Sequence, residues 1–223
     1  MHLGLCYRFG SSQDIVGFCD SDFAGDSQDS KSTSGHVFTL GAASISWRSK
    51  KQGLVALSST ESEYIGYSEA SREAIWLKRL YHEITGTDYT PQRILCNNKS
   101  ALQLVEQPRF NERSKHIAIQ YHHIRDSFRN GLITLEYLQS SEMTADILTK
   151  PLTRDLHQKH VKALGLHALP EWIFPFVLSI FYNHFTFLSY YRYIFCRQHS
   201  FSCHQQHDRF FNEASQILCF NFK

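Results

Sequence analysis

Asp14-Ile-Val-Gly-Phe-Cys-Asp20 is the stretch that decides the architecture. Its apolar residues fall on both faces, Val16 and Phe18 on one, Ile15 and Cys19 on the other. That is the pattern of a central strand covered from both sides. Asp20 stands at its end. Working outward, Gly35-His-Val-Phe-Thr-Leu40 and Ala43-Ser-Ile-Ser-Trp-Arg48 read as two further strands joined by a short turn containing glycine. The first three strands are therefore expected to form an antiparallel meander.

A long helix follows. Ser58 with Glu61 fits a capping box, as does Thr60 with Glu63, which places its start near 58–60. Tyr67, Ala70, Ala74, Leu77, Tyr81 and Ile84 recur at steps of three and four, one apolar stripe facing the sheet. Four residues before Tyr67 lies Glu63, a carboxylate on the buried stripe, whereas Glu61 falls off it. Gly86 ends the helix. Gln92-Arg-Ile-Leu-Cys96 is a strand with Asn97 at its end, and Asn98 to Glu106 is a helix stopped before Pro108. Another helix is expected from Ile119 to Arg129, ended by Asn130-Gly131. Leu132 to Leu138 is the last strand, and Ser140 or Ser141 is expected to cap a final helix through Asp146, closed by Pro151. The predicted class is α/β, a five-stranded mixed sheet with helices on both faces.

Composition sets the outer limits. With 223 residues, 42% hydrophobic and 20% charged, most of the chain can bury a core. A net charge of +2 argues against holding nucleic acid by bulk charge alone. Local clusters at Arg48, Lys50, Lys51 and at Arg109, Arg113, Lys115 read as phosphate contacts or as solvated surface charge. His116 beside Lys115 carries the same two readings. Cys19 and Cys96 sit in apolar runs and read as reduced, buried thiols. Met1 is followed by His-Leu-Gly-Leu-Cys-Tyr, with no basic segment of a secretory signal, so an intracellular location, cytoplasm or nucleus, is expected.

Composition changes near residue 166, dividing the chain into residues 1–166 and an aromatic-rich extension, 167–223. Within the extension, Trp172 to Tyr191 lacks Asp, Glu, Lys and Arg and is long enough to span a bilayer, though Pro175, Asn183 and His184 interrupt it. The extension is expected to be poorly structured or membrane-prone, and a membrane-associated role through 172–191 is one alternative reading. Cys196, His199, Cys203 and His207 do not match zinc-finger spacing.

Four blocks carry acidic or amide residues at the ends of expected elements. They are Gly17-Phe-Cys-Asp-Ser-Asp-Phe-Ala-Gly-Asp26, Ser58-Ser-Thr-Glu-Ser-Glu-Tyr64, Ile94-Leu-Cys-Asn-Asn-Lys-Ser-Ala-Leu102 and Thr144-Ala-Asp-Ile-Leu-Thr-Lys-Pro151. Lys31-Ser-Thr-Ser-Gly35, Ser46-Trp-Arg-Ser-Lys-Lys-Gln52, Trp76-Leu77 and Glu112-Arg-Ser-Lys-His-Ile117 complete the set. Taken in chain order they resemble the ribonuclease H segment of a copia-type retrotransposon Pol polyprotein, from Leu3 to Leu166. The resemblance implies a ribonuclease H-like fold over 1–166 that cuts the RNA strand of RNA–DNA hybrids with two divalent ions. Mg²⁺ is the expected ion, with Mn²⁺ as substitute. Carboxylates suit such a hard cation, and two ions supply an activated water and a stabilised leaving oxygen.

By matching position, Asp20 would bridge both ions, Glu63 and Asn97 would bind one, and Asp146 the other. Asp20, Glu63 and Asp146 are the catalytic candidates; Lys50, Lys51, Lys115 and His116 are the candidates for substrate phosphate. Family members carry Asp where this chain has Asn97. An amide offers one oxygen but no charge, so hybrid binding is expected to survive while cleavage falls by orders of magnitude. A catalytically inactive nucleic-acid-binding remnant is the rival reading. Asp22 and Asn98 are not expected to rescue the missing charge. The resemblance also implies a reverse transcriptase partner that this chain lacks, as in a truncated element copy.

Overall fold

The computed structural model describes residues 3–8, 14–41, 43–87, 91–107 and 122–169, and the backbone of 217–221. In chain order the elements are β1 (Leu3–Arg8), β2 (Ile15–Ser21), β3 (Thr33–Leu40), β4 (Ala43–Lys51), α1 (Ser59–Thr85), β5 (Gln92–Cys96), α2 (Lys99–Glu106), α3 (His122–Arg129), β6 (Ile133–Tyr137), α4 (Arg154–Ala163), β7 (Leu166–Ala168) and β8 (Ile217–Asn221). Two 3-10 turns, Ser140–Glu142 and Thr144–Leu148, lie between β6 and α4.

The chain divides into two compact units. Ser12–Leu164 is one; Met1–Ser11 with Gly165–Lys223 is the other. In the first, five strands lie in the order β4-β3-β2-β5-β6. β2, β3 and β4 form the expected antiparallel meander, and β5 and β6 add in parallel on the other side of β2. This is the five-stranded mixed sheet expected from the sequence. In the second unit, β1 pairs antiparallel with β7 and with β8, three strands the sequence pattern did not reveal.

The sheet is covered on both faces, as the two-sided pattern of β2 requires. On one face α1, α2 and α3 enclose a core that includes Phe38, Tyr64, Tyr67, Ile94, Ile124 and Ile133, none more than 1% exposed. Each such side chain contributes about 1.5–3 kcal/mol by leaving water. The other face is thinner: Val37, Met143 and Ala145 are buried there, with Phe18, Leu148 and Leu164 packed around them. α1 begins at its N-cap Ser58, whose side chain accepts from Glu61 N, and ends at Gly86 with φ 67°. Both ends are where the sequence placed them.

The expected final helix through Asp146 is absent. Asp146 sits instead in the second 3-10 turn, with Asp146 N bonded to Met143 O and Thr149 N to Asp146 O. The buried Met143 and Ala145 and the partly buried Leu148 are two and three apart, a spacing that a 3.6-residue period cannot keep on one side. Pro151 then bars Lys150 from continuing a helix, and α4 starts afresh beyond it. Lys115, His116, the segment 172–191 and Cys196, His199, Cys203 and His207 lie outside the described residues. Among the described residues no helix is long and apolar enough to cross a membrane.

Candidate active site

Register brings the first two candidates together. Cys19 and Cys96 are parallel partners in β2 and β5, so the next residues, Asp20 and Asn97, emerge side by side. Asn97 Nδ2 donates to Asp20 Oδ1 at 3.1 Å. Asp20 is 1% exposed.

Two glycines let the other candidates approach. A Cβ on Gly66 would lie 2.4 Å from Ser21 Oγ, so glycine lets α1 press closely on the end of β2 without displacing that hydroxyl. Glu63, one turn earlier, is thereby carried to the same place. Its neighbour Glu61 is equally buried but serves the helix start: its carboxylate accepts from Leu57 N at 2.7 Å. Gly35 faces Asp20 across the β2–β3 ladder. A Cβ there would lie 2.7 Å from Thr149 Cγ2 and 2.9 Å from Leu148 Cβ. The turn carrying Asp146 consequently lies flat on β3. The Thr149 hydroxyl donates to Asp20 Oδ2, and Lys150 Nζ lies 3.0 Å from Asp146 Oδ2 and 3.7 Å from Asp20 Oδ2.

Dry carboxylates at close quarters favour protons. Burial, then the Asp20 charge, pushes Glu63 up to about 9, against the pull of Lys150. Burial and Asp20 push Asp146 up to about 6, again opposed by Lys150. Partial burial disfavours the Lys150 ammonium, but Asp20 and Asp146 outweigh it and raise its pKa. Glu63 Oε2, Asn97 Oδ1 and Asp146 Oδ1 are buried with no hydrogen-bond partner. Such orphaned oxygens are costly unless a cation or water meets them. All donors are oxygens, which fits Mg²⁺ or Mn²⁺ and not a thiolate-seeking metal. Even so, no three His, Cys, Asp or Glu side chains among the described residues are gathered tightly enough to hold an ion.

The remaining candidates are engaged elsewhere or stand apart. Asp22 accepts from Thr33 N, and Asn98 caps α2 by accepting from Ala101 N at 3.0 Å. Both side chains are thus engaged with nearby backbone. Lys51 pairs with Asp26 and Asp29; Lys50 is exposed on β4. Thr149 and Lys150 were given no role by the sequence reading. Their signal was the i, i+4 pairing of Asp146 with Lys150.

Over 166 residues the chain is 37% identical to the retrovirus-related Pol polyprotein from transposon TNT 1-94 of Nicotiana tabacum, covering 74% of this chain and 12% of that protein. Three quarters of this chain is homologous to one segment of copia-type Pol polyproteins. The Pol polyprotein from transposon RE1 of Arabidopsis thaliana is likewise 37% identical, over 167 residues, 75% of this chain and 11% of that one. The chain thus spans only about a tenth of the length of these Pol relatives. No protein-family model matches it. Among solved structures, the N-terminal RNase H domain of rv2228c from Mycobacterium tuberculosis is similar at a TM-score of 0.45 and 13% identity, covering 68% of this chain and 99% of that one. LC11-RNase H1, in a crystal structure with an RNA/DNA hybrid, gives 0.42 and 12%, covering 61% and 94%.

Proposed function

We propose that the Asp20 end of the sheet is a site for divalent-metal hydrolysis of the RNA strand of RNA–DNA hybrids, weakened here by Asn97. The observation that carries the reading is the convergence of Asp20, Glu63, Asn97 and Asp146, with three of the four leaving a buried oxygen unpartnered. Asp20, Glu63, Asn97 and Asp146 would hold the metal, Mg²⁺ or Mn²⁺. When bound, such ions activate a water and stabilise a leaving oxygen. The chain's own part is to orient the ligands and exclude water. Asp20 is fixed by Asn97 and Thr149, Glu63 by the close approach of α1, and Asp146 by the turn lying on Gly35.

Asn97 turns its NH₂ toward Asp20, as only a donor can do beside a carboxylate. That orientation favours the second reading, a nucleic-acid-binding remnant without useful turnover. Cleavage of a labelled RNA–DNA hybrid by the full chain and by Asn97→Asp, in Mg²⁺ and in Mn²⁺, separates the two. The variant is expected to cut at least a hundredfold faster, roughly the effect of restoring one transition-state electrostatic contact. Equal rates would remove Asn97 as the cause of weakness. Hybrid binding without cleavage by either protein would leave the binding remnant as the answer.

A further inference from the structure

We propose that the Lys150 ammonium is a built-in counter-cation at Asp20 and Asp146, and that it must leave before a divalent ion can bind there. The inference rests on the metal-site reading above and adds a residue that excludes the ion in the resting state. Lys150 Nζ reaches both carboxylates from the same side, 3.0 Å from Asp146 Oδ2 and 3.7 Å from Asp20 Oδ2. Asp20, which would be one of the ligands, is already met at both oxygens. Asn97 Nδ2 donates to Oδ1, and the Thr149 hydroxyl donates to Oδ2. Where an ion would need lone pairs, the chain supplies protons.

The arm is built to swing. Its base is fixed by the turn that Gly35 admits and by Pro151 behind it, while the side chain is 38% exposed and can extend into water. One ammonium leaves the cluster undercompensated: Glu63 Oε2, Asn97 Oδ1 and Asp146 Oδ1 stay without partners. A divalent ion carries twice the charge and accepts several oxygens, so it displaces Lys150 once its concentration suffices. Lys150 thereby sets the ion concentration at which the site fills.

The test is calorimetric titration of the full chain with Mn²⁺ alone, on the natural protein and on Lys150→Met, Lys150→Arg and Asn97→Asp. Melting in chelator runs alongside. Lys150→Met is expected to bind Mn²⁺ roughly tenfold tighter or more, since a competing charge is gone, and to melt lower in chelator. Lys150→Arg, which keeps the charge, stays near the natural chain in both. Lys150→Gln replaces Lys150→Met if the latter does not fold. Unchanged or weaker Mn²⁺ binding on loss of the charge overturns the proposal. If Asn97→Asp alone tightens binding, the metal site stands and the role of Lys150 falls. If no protein binds Mn²⁺, both fall together.

Discussion

Two lysines in this chain each bridge a pair of aspartates, with opposite results. At the surface, Lys51 lies 2.5 Å from Asp26 and 2.9 Å from Asp29. Its hydrogen bonds hold both carboxyls below their ordinary range. At the sheet end, Lys150 bridges Asp146 and Asp20, yet burial lifts Asp146 up to about 6 and Glu63 up to about 9. The side chains are the same; the water is not. In solvent an acid cluster is satisfied by hydration and gains little from its lysine. Out of solvent the lysine offsets only part of the desolvation, and the cluster stays short of positive charge. A group of acids indicates a site only when it is dry.

The contrast can be broken at its base. Gly35→Val should push the Asp146 turn off β3 and part Asp146 and Lys150 from Asp20, leaving the Lys51 group untouched. The expected loss is about 2–3 kcal/mol in urea denaturation, as for overpacking a tight contact. A loss within about 0.5 kcal/mol, the range of ordinary surface changes, would mean the turn does not lean on Gly35.

It can be sharpened with pH. Glu63 is raised from an ordinary 4.5 to about 9 in the folded chain, so between those values the folded state keeps a proton the unfolded state has lost. Stability in chelator should therefore decline as pH rises from about 4.5 to about 9, by up to roughly 1.4 kcal/mol per pH unit. Glu63→Gln should flatten that slope, and a slope equal to the natural chain's would put its origin elsewhere. Depressed carboxyls act the other way. Asp26 and Asp29 contribute above their ordinary range and lose it only as pH falls through the acid region. The smallest effect belongs to Lys51→Met, which should leave melting at neutral pH unchanged within error.

What could be read from the chain was what is written locally. The two-faced run of β2, the stripe from Tyr67 to Leu77 and the Ser58 and Gly86 caps of α1 each depend on residues within a few turns or pleats. The choice of Glu63 over Glu61 rested on the same stripe, and the structure puts Glu63 by Asp20 and Glu61 on the Leu57 amide. The turn at Asp146 was misread as a helix because its buried residues answer to the shape of the sheet and not to a helical period. α4 escaped notice because His160 is its one buried residue, so it shows no apolar stripe. The pairing of Leu5 with Phe220 spans nearly the whole chain and leaves no local trace. Thr149 and Lys150 were visible as letters, but their partner Asp20 lies some 130 residues away.

The hydrogen bond from Asn97 to Asp20 has a consequence for the survival of the protein itself. With an aspartate at 97, two anions would face each other across 3.1 Å, and the folded population would depend on how much Mg²⁺ the surroundings hold. The amide makes that neighbour a hydrogen-bond donor and frees folding from ion supply. A fold that needs no ion keeps its folded population in a metal-poor milieu and offers proteases less unfolded chain. Under the reading proposed above, the amide that weakens the metal site also spares the fold a repulsion between two carboxylates.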